Sequence, residues 1–304
     1  MTRDVSRRGF LKMAATATAV AATTAACGSR EEVLRAFMHT RLREMKPQEL
    51  KDFCARIERQ CKERFGQDVH VGADGPLPGV IFGYGLDLSR CNGNRKCVEA
   101  CAHENNQSRR SPGGPHNNPI EWITVLEMDK EAGVDLAGST AYYDHATVPA
   151  PDKQYIPVAC QQCDNPPCVK VCPVKATWAE ADGIVVIDYD QCIGCRCCMS
   201  ACPYGARHFN WSEPHLPAAE LNPNMHVLGN RPRMRGIVEK CTFCIQRTRK
   251  GLYPACHDAC PTGARVFGNL LDPESEIRRL LDAKRTFVLK AELGTEPKFF
   301  YFYS

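Results

Sequence analysis

The sequence predicts an α+β fold: a helical N-terminal segment, then a larger region of short strands and irregular insertions organised around cysteines. Fifteen of the 19 cysteines among its 304 residues fall into four tight groups. Helical spacing of apolar residues is confined to residues 31–65 and a short stretch near the C-terminus. Between them the chain offers only brief β-prone runs, separated by proline-rich stretches.

Composition narrows the class. A content of 43 % hydrophobic and 24 % charged residues is ordinary for a globular protein. The chain is long enough for one large core or two modest ones. It therefore lacks the reason small secreted domains have for disulfide staples, and an odd number of cysteines cannot pair completely. A net charge of +4 without a long basic run argues against nucleic acid as a partner. No apolar run reaches the length of a membrane span, so none is expected within this chain.

Residues 1–27 read as an address. Ser6-Arg7-Arg8-Gly9-Phe10-Leu11-Lys12 precedes an alanine- and threonine-rich stretch to Ala26, a charged region followed by a short apolar one. The run resembles a twin-arginine signal, S-R-R-x-F-L-K, whose route exports proteins already folded around their cofactors. Thr24-Ala25-Ala26-Cys27 loosely resembles a lipobox, so Cys27 is either a lipidated mature N-terminus or an incidental thiol.

Residues 28–78 form the helical segment and its linker. Val33, Leu34, Phe37, Met38, Leu42 and Met45 predict one helix, and Leu50, Phe53, Cys54, Ile57, Cys61 and Phe65 a second, divided near Pro47. Cys54 and Cys61 share one face and are expected to be buried apolar residues rather than ligands. A Gly/Pro-rich linker runs from Gly72 to Gly79.

Residues 79–304 form the main domain. Its expected strands are Glu121–Met128, Tyr155–Ala159, Gly183–Asp188, Ile237–Glu239 and Arg265–Leu270. Asp182-Gly183 reads as the turn of a hairpin joining Ala176-Thr177-Trp178 to Ile184–Ile187. Stretches 111–119, 148–157 and 212–232 read as long irregular connections suited to partner contact. Ser275–Leu281 predicts a short helix, and Thr286–Lys290 and Phe299–Tyr303 predict strands.

The cysteine groups carry the chemistry. The first is Cys91, Cys97 and Cys101. The second is Cys160, Cys163, Cys168 and Cys172, followed by Pro173. The third is Cys192, Cys195, Cys198 and Cys202, followed by Pro203; the fourth is Cys241, Cys244, Cys256 and Cys260, followed by Pro261. The third is the run C-x2-C-x2-C-x3-C-P, in which one loop supplies three corners of an iron–sulfur cubane and the fourth cysteine reaches a second cluster. Gly194 would relieve crowding in that loop. Zinc also uses C-x2-C pairs, but separates them by longer loops and leaves the repeated C-x3-C-P ends unexplained. Cys197 is surplus to the repeat and should face elsewhere.

Gln162-Cys163-Asp164-Asn165-Pro166-Pro167-Cys168, Cys202-Pro203-Tyr204-Gly205-Ala206-Arg207 and Cys260-Pro261-Thr262-Gly263-Ala264-Arg265 give the main domain a specific resemblance. It is similar to the four-cluster ferredoxin-type iron–sulfur subunits of membrane respiratory oxidoreductases, among them those of polysulfide, tetrathionate and nitrite reductases. The resemblance implies a tandem bacterial-ferredoxin-like core of two dicluster halves, the first group pairing with the fourth and the second with the third. One cluster would take Cys160, Cys163, Cys168 and Cys202, the next Cys192, Cys195, Cys198 and Cys172. A third would take Cys241, Cys244, Cys256 and Cys101, the last Cys91, Cys97, Cys260 and position 94.

Position 94 is Asn94, where the family pattern has cysteine. Three thiolates hold a cubane lacking one iron, so three [4Fe-4S] clusters and an atypical fourth, a [3Fe-4S] cluster, are expected. A [4Fe-4S] cluster with Asn94 or water on the open iron, and a lost cluster, are the alternatives. An amide oxygen matches iron held among soft sulfurs poorly.

No catalytic triad, phosphate loop or carboxylate pair stands out, and His70, His103 and His116 read as surface or loop residues. The expected role is therefore non-catalytic electron transfer. By resemblance, the partners are an integral membrane quinone-reactive subunit and a catalytic subunit (molybdopterin enzyme, hydrogenase or other) or multihaem cytochrome subunit. The second-third half would face the membrane. The chain would be periplasmic and peripheral on the cytoplasmic membrane; a free periplasmic polyferredoxin is the alternative.

Overall fold

The computed structural model describes residues 41–110 and 119–304. The leader, the candidate lipidation site Cys27, His116 and most of the first expected helix lie outside the described residues. The chain divides into two compact units, Met1–Glu44 and Met45–Ser304. Of the first, the described part is a 3-10 turn, Leu42–Glu44, where the tail of that helix was expected.

The second unit opens with α1, Pro47–Phe65. Pro47 suits the first helical position, where no N–H is needed. The Glu49 carboxylate accepts the Lys46 N–H at 2.8 Å, and Gly66 ends the helix in left-handed conformation. Phe53, Cys54, Ile57 and Cys61 form its buried face, as their spacing predicts. Strand β1 (His70–Gly72) follows, then β2 (Phe82–Asp87). Helix α2 (Lys96–Glu104) leads to the hairpin of β3 (Thr124–Asp129) and β4 (Lys153–Val158). Next come α3 (Pro167–Lys170), β5 (Thr177–Ala179), β6 (Val185–Ile187), α4 (Cys197–Ser200) and β7 (His208–Phe209). Then follow β8 (Asn224–His226), β9 (Val238–Glu239), α5 (Ile245–Thr248), α6 (Ala255–Asp258) and β10 (Arg265–Asn269). The last elements are α7 (Glu276–Ala283), β11 (Thr286–Phe287) and β12 (Phe299–Phe302).

Four strands form the main sheet in the order β10-β2-β12-β11; β2 runs antiparallel to β10 and parallel to β12. Every residue of β2 is buried. Its glycines hide it from a search for β-branched runs, yet they make room for close neighbours: a side chain at Gly83 would strike Leu270. Tyr84 stacks on Phe299 at 4.7 Å between ring centroids and meets Phe267 and Phe243, an aromatic core beside the first and fourth cysteine groups.

Four expectations need correction. Stretch 148–157 is not irregular throughout, because Lys153–Val158 pairs with β3. Within 212–232, β8 pairs in parallel with β1. The strand expected over Thr286–Lys290 covers only two residues. In the β5–β6 hairpin only Gly183 uses positive φ, and the turn closes from Glu180 to Gly183 by a 3.0 Å hydrogen bond.

Candidate metal centres

Short helices bring the cysteine groups together. Helix α2, carrying Cys97 and Cys101, packs on α6, carrying Cys256; α3, carrying Cys168, packs on α4, carrying Cys198. This is the first-with-fourth and second-with-third arrangement. A cavity partly open to solvent is lined by Cys91, Asn94, Cys97, Cys260 and Arg265. A second is lined by Cys160, Cys163, Cys168, Cys202 and Arg207. Cys101 lies among Cys241, Cys244 and Cys256. The remaining four are more open: Cys198 neighbours Cys192, while Cys172 and Cys195 both neighbour Cys197. Cys195 and Cys197 are exposed, and the surplus thiol is thus on the surface.

The four sets form a row. Cys256 neighbours Cys97, Cys241 neighbours Cys160, and Cys198 neighbours Cys168, so each set adjoins the next. The Asn94 cavity is one end and the exposed Cys195 loop the other. The insertion between β3 and β4 reaches the Asn94 end, where the Tyr143 hydroxyl donates to the Gly93 carbonyl at 2.7 Å.

Burial dominates the thiols. It pushes Cys91 up to about 11 and Cys163 and Cys241 up to about 12, and holds Cys101 and Cys244 well above the ordinary range. Neighbouring thiols add to this within each set. Cys260 is the exception. Burial pushes it up, but hydrogen bonds from Thr262 and from the Ala264 N–H bring it below the usual thiol value.

The proline after the last cysteine of the second, third and fourth groups now has a physical reason. Proline starts a turn in which a residue two places further on lies in left-handed conformation: Lys175 at φ 53°, Gly205 at 62°, Gly263 at 58°. The next N–H then points back at sulfur, Ala176 to Cys172 Sγ at 3.3 Å and Ala264 to Cys260 Sγ at 3.4 Å. The Ala206 N–H does the same for Cys202.

Two arginines that the sequence motifs contain without revealing a role complete the pattern. Arg207 Nη2 donates to Cys168 Sγ at 2.9 Å and to Thr177 Oγ1 at 3.0 Å. Arg265 Nη1 donates to Cys256 Sγ at 3.8 Å and to the Tyr84 hydroxyl at 3.3 Å. Their signal was the twice-repeated C-P-x-G-A-R. Asn105 and Gln107 were missed altogether; Asn105 Nδ2 reaches Cys101 and Cys244 sulfurs at 3.6 and 3.5 Å, and Gln107 Nε2 reaches Cys101 at 3.1 Å.

These residues fit iron–sulfur clusters. Arg207 Nη1 and Arg265 Nη2 are buried with no hydrogen-bond acceptor. Two equivalent guanidinium groups, each with an orphaned nitrogen beside a sulfur cage, match an anionic guest. Among the described residues, no group of three or more His, Cys, Asp or Glu is placed to hold a metal ion. Zinc would need such a group. A cubane instead spreads its thiolates over separate irons, which suits cavities of this kind.

Row, cages and cationic walls together define an iron–sulfur protein of the ferredoxin type. Two models of the 4Fe-4S dicluster domain match the chain, one over residues 151–222 and 223–270, the other over 90–176. The chain is 42 % identical over 220 residues to a putative dimethyl sulfoxide reductase iron-sulfur subunit of Halobacterium salinarum, covering 72 % of this chain and 78 % of that protein. It is 36 % identical over 244 residues to the menaquinone reductase iron-sulfur cluster-binding subunit of Nitratidesulfovibrio vulgaris, covering 73 % and 88 %. With a tetrathionate reductase subunit of Salmonella typhimurium it shares 33 % over 244 residues, covering 80 % and 78 %. The chain belongs to the 4Fe-4S dicluster family, and within it to the iron–sulfur subunits of respiratory oxidoreductases.

Proposed function

We propose that this chain is the electron-carrying, non-catalytic subunit of a membrane-associated respiratory oxidoreductase, with the four cysteine sets as the ligands of four clusters in series. The observation that carries this reading is the unbroken row of thiol sets from the Asn94 cavity to the exposed Cys195 loop. When bound, the clusters supply one-electron oxidation and reduction. The chain does the rest. Cys160, Cys163, Cys168 and Cys202 hold one cluster, with Arg207 set against it; Cys101, Cys241, Cys244 and Cys256 hold the next, faced by Asn105, Gln107 and Arg265. Buried aromatic side chains at Tyr84 and Phe243 keep water from the inner set. The row's two ends serve two partners: a quinone-reactive membrane subunit at the second-third half, and a catalytic or multihaem cytochrome subunit at the Asn94 end.

The Asn94 site holds a [3Fe-4S] cluster on Cys91, Cys97 and Cys260. The amide of Asn94 is already engaged, which supports three ligands rather than four. Its Oδ1 accepts the Lys96 N–H at 2.9 Å and its Nδ2 donates to Asn92 Oδ1 at 2.5 Å. Residues 1–27 direct export to the periplasm by the twin-arginine route, with Cys27 the lipid attachment point if the anchor is used, and residues 28–78 precede the four-cluster domain.

Native electrophoresis and gel filtration of membranes solubilised in mild detergent test the complex. Co-migration with a membrane subunit and a redox subunit is expected. Migration only as a free monomer would favour a periplasmic polyferredoxin instead.

A further inference from the structure

Lys240, just before Cys241, is fully buried, with 0 % of its surface exposed. Its Nζ donates to the Cys241 carbonyl at 2.7 Å and to Gln162 Oε1 at 3.4 Å. Among the described residues no carboxylate forms an ion pair with it. An ammonium group taken out of water without a counter-charge is costly, and such lysines are rare in folded proteins. The position explains the exception. Gln162 belongs to the Cys160–Cys163 loop, and its Nε2 donates to the same Cys241 carbonyl at 2.8 Å. Gln162 also fixes itself to β6 by accepting the Val185 N–H at 2.8 Å. Lys240 thus lies where the loops of the two inner thiol sets are stitched together, with Cys160 and Cys241 on the two sides of that junction.

We propose that Lys240 is a positioning residue for electron transfer: its charge is shared by the two inner centres, those of Cys160, Cys163, Cys168 and Cys202 and of Cys101, Cys241, Cys244 and Cys256. The proposal rests on reading those thiol sets as cluster ligands. A [4Fe-4S] centre with four thiolates carries a formal charge of about −2 when oxidised and one more on reduction. A fixed cation between two such centres stabilises the added electron on either. It raises both inner potentials together relative to the two outer ones. Arg207 lies between the Cys168 and Cys198 sets and Arg265 between the Cys256 and Cys97 sets; Lys240 takes the remaining junction, between the two inner centres.

The test is an EPR-monitored redox titration of anaerobically purified, cluster-loaded full-length chain. Lys240→Met and Lys240→Gln both remove the charge, and Gln keeps a hydrogen-bond donor. Both are expected to move two of the reduction steps to more negative potential and leave the two outer steps in place, while Lys240→Arg restores them. A Gln variant with full iron content and all steps unmoved overturns the proposal, as does a Met shift that Gln cancels, because hydrogen bonding alone would then be responsible. If the Met variant fails to load, the Gln and Arg pair decides. Wild-type protein without clusters would refute the underlying reading, and iron analysis separates that result from the others.

Discussion

Replacing Gly194 by alanine tests the geometry of the exposed third cysteine loop. Gly194 lies between Cys192 and Cys195 with φ at +67°, and a Cβ there would sit 1.9 Å from the carbonyl oxygen of Gly236. That oxygen is backbone and cannot swing away. Left-handed backbone costs a non-glycine residue about 1–2 kcal/mol, and forced overpacking typically adds about 1–3 kcal/mol. The sum, about 2–5 kcal/mol, is a large share of the ~5–15 kcal/mol that holds a typical domain together. Relief requires moving either the cysteine loop or the segment before β9. Gly66→Ala provides the matched control, because Gly66 has φ +70° and nothing within 4 Å of the added Cβ. It bears the backbone cost alone. Iron analysis and thermal melts of the two purified variants make the measurement. Gly194→Ala should lose about four irons per chain and melt well below Gly66→Ala. Equal melting temperatures with full iron in both would refute the close approach.

Four other outcomes follow from the structure. Arg207 faces both Cys168 and Cys198; Arg207→Met removes a charge-assisted hydrogen bond of about 1.5–3 kcal/mol, which at ~59 mV per 1.4 kcal/mol corresponds to a fall of up to roughly 60–130 mV in the midpoint potentials of those two centres, and a redox titration with all midpoints unmoved would contradict it. Asn94→Cys should add about one iron per chain and abolish the oxidised-state EPR signal, as checked by metal analysis and EPR. Arg249 grips Asp182 through 2.9 and 3.3 Å contacts, with 1 % and 0 % of the two side chains exposed, and keeps Glu180 at 3.3 Å as a second partner; Asp182→Asn should destabilise by about 1.5–3 kcal/mol in denaturant unfolding. Burial holds His226 neutral, lowering it to about 4. Because the unfolded chain binds that proton near its ordinary ~6.5, stability should be unaffected by this group above pH ~6.5 and fall by up to about 3 kcal/mol as pH drops towards ~4, a slope that His226→Gln flattens.

Much of the fold was legible where one face of an element is apolar. Phe53, Cys54, Ile57 and Cys61 announced α1, and the runs at Arg265 and Phe299 announced two strands of the main sheet. Strand β2 was not, because Gly83 and Gly85 carry no side chain to signal burial. The four-residue helices α3 to α6 are shorter than any useful helical period. The cysteines were legible from spacing alone, whereas their grouping into sets needed the family resemblance. Arg207 and Arg265 left a trace in the repeated C-P-x-G-A-R. Lys240 left none, since a lysine in sequence reads as a solvated surface residue and only its burial at the junction of two loops sets it apart.

The central claim is four iron–sulfur centres in one chain, one of them on three cysteines. The most direct measurement combines iron and sulfide analysis with EPR of the oxidised, anaerobically purified protein. About 15 irons per chain and a single paramagnetic oxidised cluster are predicted. About 16 irons with an EPR-silent oxidised state would contradict the three-cysteine centre, and about 12 or fewer would contradict the row of four.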